Sequence, residues 1–189
     1  MNLSISSNSA SSKISLPSIP PPCNLVSLLV EIQNPEDTEE CCWAKTFRNY
    51  LIKTEEENLL DFVIICNVLR KKELDVKVLR KKIGDNPAVY IPSKDAVLNK
   101  ERRDLLKLLG DTFLSDDCIM PVHLNNGDLI PLIYEAMDNI SNLKDGDDDE
   151  KQSDYLSSVF NLVWQARCDY KVWRQLETKY NNFLVFMHR

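Results

Sequence analysis

A chain of 189 residues with 43% apolar side chains is long enough for one domain with tails and can bury a core. Its net charge of −6 argues against nucleic-acid binding, which depends on a basic face. Only four glycines stand among many Leu, Glu, Lys and Asp, which favours helix over sheet and leaves no glycine-rich phosphate loop.

Residues 1–23 are rich in serine and proline, ending in SLPSIPPP and Cys23. Such a segment buries too little apolar surface to offset its ordering entropy, so it is expected to be a disordered arm. The proline run reads as a spacer rather than a polyproline ligand. A globular part is expected over 24–189. LVSLLVEI at 25–32 reads as a short helix starting near Asn24, with a strand of equal length the alternative. NPEDTEE follows as an acidic loop, and Pro35 stops any helix before it. Trp43, Phe47, Tyr50 and Leu51 recur at helical spacing and predict a second helix ending near Lys53.

The stretch from 59 to 69 is apolar on nearly every side. Leu59, Phe62, Cys66 and Leu69 form one stripe; Leu60, Ile64 and Val68 form another. A helix hydrophobic all round is wrapped by its neighbours, and this one is too short to span a bilayer. Thr54 and Glu57 match a capping box at its start. Arg70, Lys71 and Lys72 read as its closing turn. A separate short basic helix is expected next, with Leu74, Val78 and Leu79 on one face and Gly84 ending it.

Pro87 can open one turn through Tyr90, and Pro92 blocks its continuation. Val97, Leu98, Leu105, Leu108, Leu109 and Phe113 predict a long helix with an exposed charged flank at 100–103. MPVHLNNGD is a loop, after which Asp128 caps a helix with Pro131 in its first turn. Leu132, Ile133, Ala136, Met137 and Ile140 carry that helix. Residues 144–153 read as a solvated acidic linker, because their spacing does not match a calcium-binding loop. Tyr155, Val159, Leu162, Val163 and Ala166 predict another helix. Asp169 is read as the cap of the last, which carries Val172, Trp173, Leu176, Tyr180, Phe183 and Leu184. The sum is an all-α chain of eight or nine helices.

Little in the sequence suggests reaction chemistry, and an enzyme is not expected. The two histidines, His123 and His188, have neither metal-ligand spacing nor a cysteine partner, so no metal or other cofactor is expected. The six cysteines form no C-x-x-C pair and read as reduced thiols of a cytoplasmic protein. Neither a signal peptide nor a membrane span is legible. Asp147, Asp148, Asp149 and Glu150 cluster on a linker that cannot hold catalytic geometry, and Asp116-Asp117 reads as a cap. Trp43, Phe47, Phe62, Trp164, Trp173 and Phe183 stand at core spacing and are expected to pack. Asp61, on a buried helix, must find a partner or face water. In this acidic chain the basic clusters Arg70, Lys71, Lys72 and Arg80, Lys81, Lys82 stand out. Each alone reads as C-terminal capping; together they are candidates to flank a groove for a short acidic peptide.

The order of these segments resembles the RGS (regulator of G-protein signalling) domain over about residues 24–184. The family's opening SLL is at 27–29, its F-x-x-F-L is FRNYL at 47–51, and its D-F-W-x-x-C helix is LLDFVIIC at 59–66. AVY at 88–90 looks like the family's A-I-Y, and the closing motif is reduced to DYKVW at 169–173. The resemblance implies a bundle in two packed subdomains. The LLDF form is most similar to the axin branch, a scaffold of the beta-catenin destruction complex. That branch implies a non-catalytic module that recruits an adenomatous polyposis coli-type repeat peptide and restrains Wnt/beta-catenin signalling.

The alternative implied by the wider family is GTPase activation on a G-protein alpha subunit. Members with that activity position the partner's catalytic loops through polar side chains. The positions matching two of their asparagines hold Leu59 and Ala96 here, and the family's closing acid and arginine fall on Cys168 and Val172. Asn58 imitates the first asparagine one residue out of register, which turns a helical side chain by about 100°. That activity is therefore expected to be weak or absent.

Overall fold

The computed structural model describes residues 21–22, 24–31, 42–54, 56–85, 92–115, 117–142 and 149–188. The N-terminal arm before residue 21, the acidic loop after α1, the turn at 87–90 and residues 143–148 of the linker lie outside these. Among the described residues there are seven α-helices and no strand. They are α1 (Leu25–Glu31), α2 (Cys42–Lys53), α3 (Glu57–Asp85), α4 (Pro92–Leu109), α5 (Leu129–Ser141), α6 (Asp149–Arg167) and α7 (Tyr170–Met187). The helix at 25–31 resolves the helix-or-strand choice, and Asn24 caps it by accepting the Ser27 amide at 2.8 Å.

Two groups of helices share α3. α3, α4, α5 and α6 pack around a ring in which each touches the next and α6 closes on α3. α1, α2 and α7 pack on one another, and each of α2 and α7 also touches α3. Aromatic rings fill the second group. Phe47 meets Tyr180 edge-on at 5.1 Å and Phe183 at 5.3 Å, and Trp43 meets Phe183 at 6.3 Å. Such pairs add about 0.5–1.5 kcal/mol each beyond the area they bury. The Tyr180 hydroxyl donates to the Pro22 carbonyl at 2.6 Å, tying the segment before α1 to the last helix. In the first group Phe62 meets Phe113 at 5.7 Å.

The helix expected to stop at 70–72 continues to Asp85, so the central helix and the short basic helix are one rod of 29 residues. Cations near a helix end are a preference, not a stop. No proline, and no glycine before Gly84, interrupts the run. The inward face of its second half is also different from the one expected. Glu73 and Val76 are buried, while Leu74 and Val78 are about half exposed. Thr54 does not cap α3, because its hydroxyl turns back to the Leu51 carbonyl of α2. Asp61 finds its partner in Arg48, whose guanidinium forks onto both carboxylate oxygens at 2.9 and 2.8 Å.

The charged flank at 100–103 is only partly solvated: Lys100 is exposed and Glu101 partly so, but the two arginines are not. Arg102 is fully buried and Arg103 nearly so. Arg102 Nε donates to Glu73, Nη1 to Asn99 and Ser153, and Nη2 to the Ser153 carbonyl and Ser157. Ser157 in turn donates to the second oxygen of Glu73. Burial pulls the arginine pKa below its ordinary value and Glu73 opposes that shift. This network also accounts for 149–153, the described end of the expected linker. It is the first turn of α6, with Gln152 and Ser153 buried.

After Leu109 the helix widens. The Ser115 amide bonds to the Gly110 carbonyl at 2.9 Å, five residues back. Gly110 lies against Met137 of α5, whose sulfur would stand 3.2 Å from an added Cβ. The glycine thus permits the close approach of α5.

Candidate protein-binding site

The second half of α3 sorts its basic residues by face. Lys72 donates to Glu101 at 2.6 Å and Arg80 to Asp154 at 2.7 Å, so both face the neighbouring helices α4 and α6. Lys71 is exposed and Arg70 turns toward Trp164 of α6, and neither has a carboxylate partner among the described residues. Lys81 and Lys82 are exposed at the far end. The two clusters therefore stand on one helix rather than across a groove, and each is split between an inner and an outer face.

Arg70 and Lys71 open onto a groove of about 560 Å³. α1 supplies Val26, Leu29 and Val30 as one wall, and α3 supplies Asn67 and Leu74 on the other. Arg167, the last residue of α6, and Trp173 of α7 close one end. The cations are held by indole rings. Arg70 lies 4.8 Å from the Trp164 ring centre, and Arg167 lies 4.7 Å from Trp164 and 5.2 Å from Trp173. Arg167 also donates to Asn67 at 3.2 Å. Each cation–ring contact is worth about 0.5–2 kcal/mol, the more so where water is excluded.

The six aromatics expected to pack differ in depth. Trp43, Phe47, Phe62 and Phe183 are buried. Trp173, half-buried, packs against the core and also faces Arg167, while Trp164, half-buried beside Phe160, faces Arg70 and Arg167. The Trp164-to-Arg167 spacing of one helical turn was the available signal. Arg167, Asn67 and the α1 valines are groove residues that sequence reading missed.

The positions aligned with G-protein contacts differ in exposure. Leu59 and Val172 are buried, whereas Ala96 and Cys168 are exposed. The polar groups actually gathered near the loop 121–128 are others. Asn58 donates to the Pro121 carbonyl at 3.0 Å. Asp169 caps α7 by accepting the Lys171 amide at 2.8 Å, and its second oxygen accepts the Asn125 and Asn126 amides at 3.0 and 3.1 Å. The acid that begins the last helix is Asp169, one residue beyond Cys168. The cap expected of Asp128 is not made by its side chain; Asn126 Oδ1 accepts the Asp128 amide instead.

Cys66, Cys118 and Cys168 are free thiols. Burial pushes the Cys66 thiol pKa strongly upward, with Arg167 opposing and Cys168 adding to the shift. A thiol so placed stays protonated and unreactive. Among the described residues no helix is long and apolar enough to cross a membrane. No protein-family model, characterised protein or solved structure matches the chain.

Proposed function

We propose that the chain is a divergent RGS-like domain of the axin kind, acting as a non-catalytic protein-binding scaffold in the cytoplasm. In this reading it recruits an adenomatous polyposis coli-type repeat peptide and so restrains Wnt/beta-catenin signalling. The observation that carries the binding role is the groove, where two cations with no carboxylate partner among the described residues stand beside exposed aliphatic side chains. Two helix groups sharing one long helix are in keeping with the two-subdomain bundle that the resemblance implies. Titration with the repeat peptide is expected to give about micromolar affinity or tighter. Absence of binding would remove this partner.

One observation favours GTPase activation on a G-protein alpha subunit as a second reading. Asn58 and Asp169 both fasten the 121–128 loop, giving a polar edge at which another protein's loops could be positioned. Buried Leu59 and Val172 offer no polar contact there, so we place this reading second. Single-turnover GTP hydrolysis decides it, and a rate unchanged by the domain rejects it.

A further inference from the structure

The widened turn after α4 shapes a hollow of its own. The Thr112 and Phe113 carbonyls of that turn accept the Met120 and Val122 amides at 2.8 and 3.1 Å, so the chain doubles back on it. Asn58 holds the Pro121 carbonyl, and Asp169 holds the Asn125 and Asn126 amides. Between this strapped segment and α5 lies a cavity of about 300 Å³. Phe113, Leu114, Val122, Ile130 and Ile133 give it an apolar lining, and Lys171 of α7 stands in its wall. Lys171 also lines an adjoining basic hollow with Arg174 and Lys179. It has no carboxylate partner among the described residues, and both oxygens of nearby Asp169 are taken by backbone amides.

We infer that this cavity binds a small amphipathic carboxylate, with its apolar body inside and its carboxylate on Lys171. The inference is independent of the scaffold reading, which rests on the groove between α1 and α3. The volume equals about ten waters in the liquid, room for a body of about eight to ten carbons. It lies at the small end of the range for small-molecule sites, which are mostly apolar with a few polar groups that fix orientation. An uncharged hydrocarbon would leave the ammonium without a counter-charge, and a cation would be repelled by it; a carboxylate forms a charge-assisted hydrogen bond. The straps are bonds within the protein, so the walls need little ordering when a ligand enters. Straight-chain and aromatic acids share this chemistry, and the test separates them.

The test titrates the intact chain with hexanoate, octanoate, decanoate, dodecanoate and 3-phenylpropanoate by calorimetry, with amide chemical shifts locating the site. Decanoate is expected to bind with a Kd between about 10 μM and 1 mM, the range for a ligand of about twelve non-hydrogen atoms. Affinity is expected to rise from hexanoate to decanoate and to level off beyond it, where the cavity is full. Shifts are expected at 113–124 and 130–134, and not at the groove residues of α1 and α3. Decanol is expected to bind about 10-fold more weakly than decanoate, and Lys171→Gln to abolish that preference. The backbone amide that caps α7 at this position is untouched by the substitution. Ile130→Trp, which adds an indole to the cavity wall, is expected to lose binding. An unchanged circular-dichroism melt establishes that it folds; if it does not fold, the Lys171→Gln comparison decides alone. Tighter binding of decanoate assigns a fatty acid and tighter binding of 3-phenylpropanoate an aromatic acid, and either supports the inference. No saturable binding up to about 5 mM, shifts centred outside the cavity, affinity that keeps rising with chain length, or decanol binding as tightly as decanoate overturns it.

Discussion

Glu73 of α3 and Arg102 of α4 meet inside the bundle with side-chain exposures of 3% and 0%. Every hydrogen-bonding nitrogen of that guanidinium has a protein acceptor, and α6 supplies two serines to complete the set. An ion pair of this kind is weak evidence for net stability, because desolvation opposes attraction. Removing one member is another matter. Arg102→Ala is expected to lower stability by about 3–5 kcal/mol through the uncompensated Glu73 carboxylate. The paired change Glu73→Leu with Arg102→Met is expected to recover most of that loss. Urea denaturation of the three proteins checks it; equal losses in the single and paired variants would contradict this account.

Asp169 joins two tasks in one carboxylate, capping α7 and fastening the loop at Asn125 and Asn126. Asp169→Ala is expected to cost about 2 kcal/mol or more, from the lost cap and the loss of charge-assisted bonds. Amide exchange at Asn125 and Asn126 is expected to speed up in the same variant. Unchanged protection there would show that the loop is held by something else.

Burial favours the neutral phenol of Tyr155 and raises its pKa, while a bond to Asn139 opposes the shift. The folded chain therefore holds this proton more tightly than the unfolded chain. The resulting stability is present below the ordinary tyrosine value of about 10 and is lost as pH rises through the folded value. Tyr155→Phe is expected to flatten the alkaline limb of the stability profile, beside the cost of the bond to the Ala136 carbonyl. Denaturation midpoints measured from about pH 8 to pH 11 check it; parallel limbs in the two proteins would refute it.

Thiol labelling separates two neighbours. Cys168 is exposed and is expected to react with iodoacetamide in the native state. Cys66, buried with its thiol held protonated, is expected to react only at the rate of global unfolding. Mass mapping of labelled peptides against time reads both. Native-state modification of Cys66 at the rate of Cys168 would mean that the centre of α3 is open to solvent.

The helices legible in the sequence were those whose apolar residues share one face between clear punctuation. α2 shows Trp43, Phe47 and Leu51, and α7 shows Val172, Leu176, Tyr180 and Phe183 behind Asp169. Charged residues misled wherever their partners are distant in sequence. Arg102 lies 29 residues from Glu73 and 55 from Ser157, so a local window sees only a polar flank. The same holds for Arg70 to Lys72, where a composition typical of a helix end sits in mid-helix because Glu73 and Val76 carry the packing onward. Of the groove, Arg70 and Lys71 were legible as an excess of charge. The valines of α1 were not, since a seven-residue apolar helix gives no sign of which face stays uncovered.

The unbroken length of α3 has a mechanical meaning. Asn58, at the loop edge, and Lys71, at the groove, are thirteen residues apart on one rod, a spacing of about 20 Å. With no joint between them, the two surfaces are gauged against each other as marks on a ruler. One alanine inserted after Lys71 would swing everything beyond it by about 100° and carry Glu73 away from Arg102. Such a rod can absorb changes of side chain on its outer face, but not a change in its residue count.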